Sequence, residues 1–366
     1  MARVSIHLIV YSQKEAKYIP YLFNSLKNQT FTDWEIKILN NNASGDVIRA
    51  VESEMQDVGK PYTIITEKEN SGFANGNNTL AKKTNTEYVL LVNPDMYLES
   101  DVLEKMISFL DEHKEVSNVS TRLMQWDFSA VCKEEKKQSS LDVSAKAGFT
   151  QYIDAIGIRL LRNRRAVEWL TGEVWTSGSK NKRVRSAYNK KILEIFGLSG
   201  AFLLYRKTAI DHVLLPGECL FDPTYHSYKE DVDLAYRLRN AGYTSYVLLD
   251  TAAYHDRTGS GTKKLHDLAT IKNKKTQPYY IQFHSYKNHL RTLYKNEYWQ
   301  NVFLDLPCIF WYEFRKFVYL LCTNPRLLLR AWQEIVVNFS YTKKARESVN
   351  ASKKMYWKGL RRWFSE

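Results

Sequence analysis

Two groups of acidic residues carry the chemistry this sequence could perform. The first is Asp95, which closes the elbow Asn93-Pro94-Asp95 after the apolar run Val89–Val92. The second is Glu230-Asp231, with Asp233, at the start of the stretch Lys229–Arg239. A carboxylate presented at the end of a strand can hold a divalent cation, and a cation can hold a diphosphate. Carboxylates in the first turn of a helix are kept ionised by the helix dipole. One that faces a nucleotide crevice can take a proton from a hydroxyl as general base. Asp233 has a local partner in Arg237, four residues on. Glu230 and Asp231 have none so obvious. The plainer readings are that Asp95 caps the next helix and that all three acids serve the dipole alone. Asp101 and Glu104 fit the capping task better, as a D-x-x-E start to a helix over Val102–His113.

These residues need a frame. Val4–Val10 and Tyr88–Val92 are continuous apolar runs, the pattern of strands buried on both faces. Pro94 cannot donate to a ladder, so the strand stops before it. Trp34–Leu39 and Tyr62–Thr66 read as further strands. Helices are expected between them, one with Pro20 in its first turn and Ile19, Leu22, Phe23 and Leu26 on one face, one over Val47–Val58, and one opened by Asn70–Asn78 with its body at Thr79–Lys83. Strands alternating with helices predict a parallel, doubly wound α/β sheet. That order places Tyr11-Ser12 and Asn40–Asp46 at the edge that carries Asp95, where such sheets bind ligands. The Gly72/Gly76 segment lets backbone approach a ligand, and its helix N-terminus favours an anion. It is not a P-loop, since no G-K-S/T follows.

From Ser129 to Phe196 the pattern is weak. Lys133–Lys137 reads as solvated loop. The basic stretches Leu160–Arg165 and Lys180–Arg185 read equally as loop or as contacts to an acidic substrate, and Trp169 and Trp175 as sugar-stacking or packing residues. A strand at Phe202–Tyr205, a helix at Lys207–Val213, the acidic helix closed by Gly242, and a strand at Tyr246–Leu249 follow, with His255 just past the last. Beyond about Tyr280 the chain reads as helical. One stripe joins Leu328, Trp332, Ile335, Val336 and Phe339. In the last helix Trp357, Leu360, Trp363 and Phe364 oppose Lys354, Lys358, Arg361 and Arg362, the pattern of a helix lying in a membrane interface. The competing reading is a helix packed on the domain with a solvated basic face.

The 366 residues carry a formal charge of +13. From Lys272 onward 18 Lys and Arg face 6 Asp and Glu, so nearly all the excess lies in the last quarter. That asymmetry points to a basic face meeting phosphates on lipid or nucleic acid. Cys132, Cys219, Cys308 and Cys322 form no C-x-x-C pair, which fits neither a zinc site nor a disulfide framework and suits a reducing compartment. No signal peptide and no membrane-spanning run are expected.

Taken together the motifs resemble family 2 glycosyltransferases of the GT-A fold, and more narrowly the bacterial rhamnosyltransferase-like members. The matching stretches are Val4–Ser12, Asn28–Phe31, Asn41–Ser44, Asn70–Asn78, Tyr88–Asp95, Ile156–Arg159, Gly197–Arg206, Phe221-Asp222, Tyr228–Leu238, Tyr254-His255 and His284–Asn288. They cover most of residues 1–300 in order. The resemblance implies a catalytic domain over 1–279, with a nucleotide-binding half (1–128) and an acceptor-binding half (129–279). A helical, basic, membrane-associating extension (280–366) follows. Tyr11, Ser12, Asn41, Gly72, Asn77, Asn93 and Asp95 fall on the donor side. Asp95 stands for the last acid of the D-x-D motif and Asn93 for its first. With His255, Asp95 would bind Mg²⁺ or Mn²⁺. Asn41 takes the place of the aspartate that reads the nucleobase. Asp231 matches the catalytic base, with Glu230 beside it, and Ser199, Gly200 and Tyr228 fall on the acceptor side.

The implied activity is inverting, metal-dependent transfer of a sugar, L-rhamnose by subgroup. The donor would be a dTDP- or UDP-sugar. The acceptor would be a polyprenyl-diphosphate-linked glycan at an anionic membrane surface, on the cytoplasmic face, in cell-surface polysaccharide synthesis. Two other classes compete. A sugar-nucleotide-binding protein without turnover is suggested by Asn41 and Asn93, and the Glu230-Asp231 pair argues against it. A nucleic-acid-binding protein is suggested by the aromatic, basic tail. There the helical spacing of the apolar residues argues for a packed or membrane-facing helix, and no nucleic-acid partner is expected.

Overall fold

Asp95 owes its position to four strands. In the computed structural model, which describes residues 2–256 and 277–365, β1 (Val4–Val10) is buried at every position. It lies between β2 (Trp34–Asn41) and β4 (Tyr88–Val92), parallel to both, with β3 (Tyr62–Glu67) parallel beyond β2. The crossovers are α1 (Ile19–Lys27), α2 (Gly45–Val58) and α3 (Gly72–Lys82). Helix α1 carries Pro20 in its first turn and buries Ile19, Leu22, Phe23 and Leu26, as their spacing requires. Helix α3 begins at Gly72, not after Asn78. Gly76 is therefore inside the helix, pressed on Ile9 and Leu39 of the sheet, and faces no ligand.

After β4 the chain makes the short β5 (Met96–Leu98), α4 (Val102–Glu112) and the long β6 (Val116–Trp126). The expected capping box at α4 is absent. Asp101 instead accepts from the Thr251 hydroxyl at 2.6 Å and pairs with Lys105, while Glu104 accepts from the Thr30 hydroxyl. Next come α5 (Phe128–Glu135), α6 (Leu141–Ala147), β7 (Phe149–Ala155), β8 (Ile158–Leu161) and β9 (Ala166–Glu168). They are followed by α7 (Lys182–Tyr188) and β10 (Ile192–Glu194). Part of the Lys133–Lys137 charge run thus lies in α5, a helix because Phe128 and Val131 bury against Tyr18, Tyr21 and Trp126.

Then β11 (Phe202–Arg206), α8 (Lys207–Asp211), α9 (Glu230–Asn240) and β12 (Thr244–His255) complete the sheet. Its order is β10-β12-β6-β11-β4-β1-β2-β3, with β5 on β12 and β7 on β6. Strand β11 runs antiparallel to both β4 and β6, so the sheet is mixed. Strand β12 extends to His255, which ends it and does not lie beyond it.

The C-terminal part is helical: α10 (Tyr279–Asn296), α11 (Trp299–Leu304), α12 (Leu306–Thr323), α13 (Pro325–Val337), α14 (Phe339–Ser352) and α15 (Trp357–Arg361), closed by β13 (Phe364–Ser365). The last helix is five residues long and packs inward. Leu360 is fully buried with Trp363 and Phe364 beside it. Phe364-Ser365 pairs with β8. Arg361 joins Arg162 and Arg164 on the buried Asp305, and Arg362 pairs with Glu194. The terminal segment is therefore a latch on the sheet domain, not the membrane-facing helix its pattern suggests. Arg162 and Arg164, from the basic stretch read as loop or substrate contact, belong to that latch.

Helix α10 holds the loop that leads into α9. His226, Tyr228 and Lys229 all have φ between +63° and +74°, a conformation that costs a non-glycine residue about 1–3 kcal/mol each. Asn288 donates from its amide to the carbonyls of Tyr225, Ser227 and Tyr228 at 2.8–3.1 Å. His284 donates to Tyr225 O at 3.0 Å and Lys287 to Thr224 O at 3.0 Å. Deeper in, Lys295 bridges Asp222 (2.7 Å) and Asp233 (2.9 Å), all three fully buried. Burial would raise Asp222, but Lys295 and Arg291 outweigh it and hold that carboxyl at about 2. Asp233 also takes the Arg237 guanidinium at 3.1 Å, the pairing expected from their spacing.

Two outcomes follow from this grip. Lys295→Met leaves two buried carboxylates short of a cation and lowers stability in denaturant unfolding by about 3–5 kcal/mol. Asn288→Leu removes one donor from three carbonyls, costs about 1–3 kcal/mol, and speeds amide hydrogen exchange at residues 226–230 before other segments respond.

Candidate active site

The elbow after β4 presents Asp95 as the sequence requires, and the register of β12 on β5 brings a partner to it. His255 pairs with Met96 across the ladder, which sets its Nε2 3.3 Å from Asp95 Oδ1. The other ring nitrogen, Nδ1, meets Asp154 Oδ2 at 2.9 Å, and Asp154 is itself buried. Burial alone would lower this imidazole; Asp95 and Asp154 outweigh it and hold it up at about 10. Beside the pair, Asp256 N donates to Asp95 O and Asp256 accepts from the Tyr18 hydroxyl at 2.6 Å.

Tyr11 and Ser12 follow β1 at the same edge. Their backbone amides both donate to Glu15, at 2.8 and 3.1 Å. Burial pushes the Glu15 carboxyl up to about 7 against the pull of those amides. The exposed Tyr11 phenol is pushed up by partial burial, by Glu15 and by Asp95, and the Tyr280 hydroxyl acts on it as well. Tyr280 of α10 donates to His226 or accepts from it at 2.6 Å, lies edge-on to Tyr228, and is raised by burial and by Glu230. Asp95 and Glu230 therefore both reach one pair of tyrosines.

A backbone route joins the two acidic sites as well. Asn93 N donates to Ala201 O at 2.9 Å, just beyond the antiparallel pairing of β4 and β11. Gly200 N points to Asp231 Oδ2 at 3.5 Å. A side chain at Gly200 would press on the Phe73 ring at 3.2 Å and stand 3.7 Å from Asp231 Cβ, so the glycine leaves room for Phe73 and Asp231 to pack closely here. Asp231 Oδ1 accepts from Val232 N at 2.7 Å. Burial pushes both Asp231 and Glu230 above the ordinary carboxylate range, and the Asp231 charge raises Glu230 further. Glu230 Oε2 is buried without a hydrogen-bond partner among the described residues. Such a pair keeps one proton near neutral pH and leaves one carboxylate able to accept another. Ser199 approaches Glu168 at 3.5 Å, and the Glu168 charge also raises Asp231.

Three donor-side candidates stand differently from the sequence expectation. Asn41 is buried, and its amide is committed to the loop before α3: it accepts from Ser71 N and Oγ and donates to Asn70 Oδ1 and Gly72 O. In this conformation it supports the crevice wall and presents no free edge to a base. Asn77 is buried inside α3 and donates to Phe73 O one turn back. Gly72, at φ +82°, meets His226, where a side chain would clash at 2.4 Å, so its close approach is to the loop before α9. Trp169 packs against the apolar cluster that includes Ile156, Leu170 and Leu198, and Trp175 lies tilted against Tyr188 beneath the Arg122 guanidinium.

Asp154, Glu15, Tyr280 and His226 were not singled out by sequence reasoning. No local signal marks Asp154: it is one polar position in a strand whose register alone delivers it to His255.

Residues 5–138 match the family model described as Glycosyl transferase family 2. Over 108 residues the chain is 28% identical to poly(ribitol-phosphate) beta-N-acetylglucosaminyltransferase TarS of Staphylococcus aureus strains Mu50 and MW2, a match that covers 29% of this chain and 19% of that enzyme. The chain thus spans about a fifth of the length of the curated relatives it matches. Among solved structures, GalNAc-T7 with UDP, GalNAc and Mn²⁺ superposes with a TM-score of 0.54 at 8% identity, over 81% of this chain and 48% of that one. The matched segment and the mixed sheet agree: residues 5–138 carry a glycosyl transferase family 2 segment, and the chain has the GT-A fold.

Proposed function

We propose that this protein transfers a sugar from a nucleoside diphosphate donor to a hydroxyl of a glycan acceptor, with inversion, in cell-surface polysaccharide synthesis. The observation that carries the reading is the backbone route that runs from the elbow of the Asp95–His255 pair to Asp231, through Asn93, Ala201 and Gly200. The acceptor is a lipid-linked glycan at an anionic membrane surface, in keeping with the basic C-terminal part. L-rhamnose from a dTDP donor is the sugar that the subgroup resemblance suggests. The TarS and GalNAc-T7 names support sugar transfer as the class of reaction.

The donor set beside Asp95 fits a divalent cation. One carboxylate oxygen and one imidazole nitrogen, whose proton a cation would displace, lie 3.3 Å apart, and the second ring nitrogen is oriented by Asp154, the usual support of a metal-ligating histidine. Among the described residues no third His, Cys, Asp or Glu joins them, and Mg²⁺ or Mn²⁺ commonly completes its shell with substrate phosphates and water. Held by Asp95 and His255, a cation would supply charge neutralisation to a departing diphosphate. Asp231 takes the proton of the acceptor hydroxyl as that oxygen attacks the anomeric carbon, and a single displacement inverts the centre. Glu230, raised by burial, holds its own proton and keeps a second negative charge away from the incoming oxygen. Tyr11, Tyr228 and Tyr280 wall the cleft with rings on which a sugar can stack.

Asp231→Asn keeps donor affinity and lowers kcat by about 10²–10⁴. Turnover at the wild-type rate in that variant removes Asp231 from its role. Because burial raises Asp231, the base is protonated at acid pH, and the rate climbs with pH through a midpoint above the ordinary aspartate value of about 3.9. A limb at or below that value contradicts the assignment. Chelation by EDTA stops transfer and added Mn²⁺ restores it; full activity in EDTA rules the cation out. A thermal-shift panel of UDP-, dTDP- and GDP-sugars with Mn²⁺ identifies the donor by the stabilisation that binding confers.

A further inference from the structure

Helix α12 packs by one row and exposes the rest. Tyr312, Lys316 and Leu320, four residues apart, face inward. Leu320 joins the core of Leu327, Leu328 and Ala331, and the Lys316 ammonium sits 5.0 Å from the Tyr286 ring centre. Leu320 is the one residue of the 18 in this helix that is buried. The opposite row, Phe310, Phe314, Phe317 and Leu321, stands in solvent, with Phe310 62% and the neighbouring Trp311 58% exposed. The adjoining α13 continues the face through Leu329, Trp332 and Val336, of which Leu329 is 71% exposed.

The charges around this face have one sign. Between Trp299 and Lys344 the acids are Asp305, Glu313 and Glu334. Each is turned to a cation: Asp305 to Arg162, Arg164 and Arg361, Glu313 to Lys316, with the His289 ring beside it, and Glu334 to Lys287. The fully exposed charges of the stretch are Arg315, Arg326, Arg330, Lys343 and Lys344, all positive. A second copy of the chain on this face would set those cations against their equivalents. An anionic bilayer surface answers both features, since its acyl boundary accepts the aromatic row and its headgroups the cations. No helix among the described residues is long and apolar enough to cross a membrane, so the contact lies along the surface.

We propose that the exposed face of α12 and α13 docks on an anionic lipid surface. The proposal rests on the membrane part of the function proposed above and moves the contact from the terminal segment to this face. The same helices pack on α10, whose other side grips the catalytic loop through His284, Lys287 and Asn288.

The test uses the full chain with phosphatidylcholine vesicles, with and without phosphatidylglycerol. Wild type floats with the anionic vesicles, less so as salt rises, and stays behind with the neutral ones. The combined variant Phe310→Ser, Trp311→Ser, Phe314→Ser loses about tenfold or more in vesicle partition, with an unchanged thermal midpoint and unchanged donor hydrolysis in vesicle-free buffer. Wild type that ignores anionic vesicles overturns the proposal, as does a triple variant that floats like wild type. A wild-type dimer that the triple variant converts to monomer, with no vesicle binding, assigns the face to a second copy and also overturns it. Vesicle binding lost in the triple variant, in a protein that never turns over a nucleotide sugar, supports this surface while it defeats the transferase reading.

Discussion

The antiparallel contact of β11 with β4 is the constraint on which the site depends. A sheet of parallel strands alone would send the segment after β4 away from its edge. Because β11 returns against β4, the segment before it, Gly197–Ala201, arrives beside Asn93 and hands its carbonyl to that residue's amide. Gly200 then stands where α9 begins, and its lack of a side chain allows Asp231 to close on the same point. Strand β12, parallel to β6 and antiparallel to β5, delivers His255 to Asp95 by register alone. Two carboxylate sites more than a hundred residues apart are thereby fixed by backbone ladders, the least adjustable contacts in the fold.

The entrance to α9 shows how that rigidity is completed. Three non-glycine residues in the left-handed region would relax in an isolated loop. They persist because Asn288, His284 and Lys287 of α10 bind the loop carbonyls, and because Lys295 ties Asp222 to Asp233 beneath them. The helical C-terminal part is thus a component of the site, holding the general-base candidates in place while its far face stays open. The cationic rim of that open face and the conformation of the loop before α9 lie on two sides of one helix.

The strands that could be read from sequence are those whose apolar runs are unbroken. Val4–Val10 and Tyr88–Val92 declare themselves, and with them the edge and Asp95. Strand β6 does not, because it buries Ser117, Asn118, Ser120 and Thr121, which interrupt any apolar pattern while the hydroxyls of Ser117, Ser120 and Thr121 donate to neighbouring carbonyls. Arg164 looked like solvated charge and is fully buried, since Glu297 and Asp305 from distant helices meet it there. The acidic start of α9 was legible from its spacing, but the support given by Asp154 to His255 was not, because it arises only when β7 and β12 both pair with β6. The terminal amphipathic pattern misled for a related reason. A face of Leu360, Trp363 and Phe364 with flanking cations suits a membrane, and it equally suits a protein surface that offers Asp305 and Glu194.

The most direct measurement is a crystal structure of the wild-type protein with a nucleoside diphosphate and Mn²⁺, the metal located by its anomalous signal. The account predicts the metal between the Asp95 carboxylate, His255 and the diphosphate oxygens, with the Asp231 carboxylate facing the same cavity from α9. A nucleotide bound away from the β4 edge, or an Asp231 side chain walled off from it, would contradict the account.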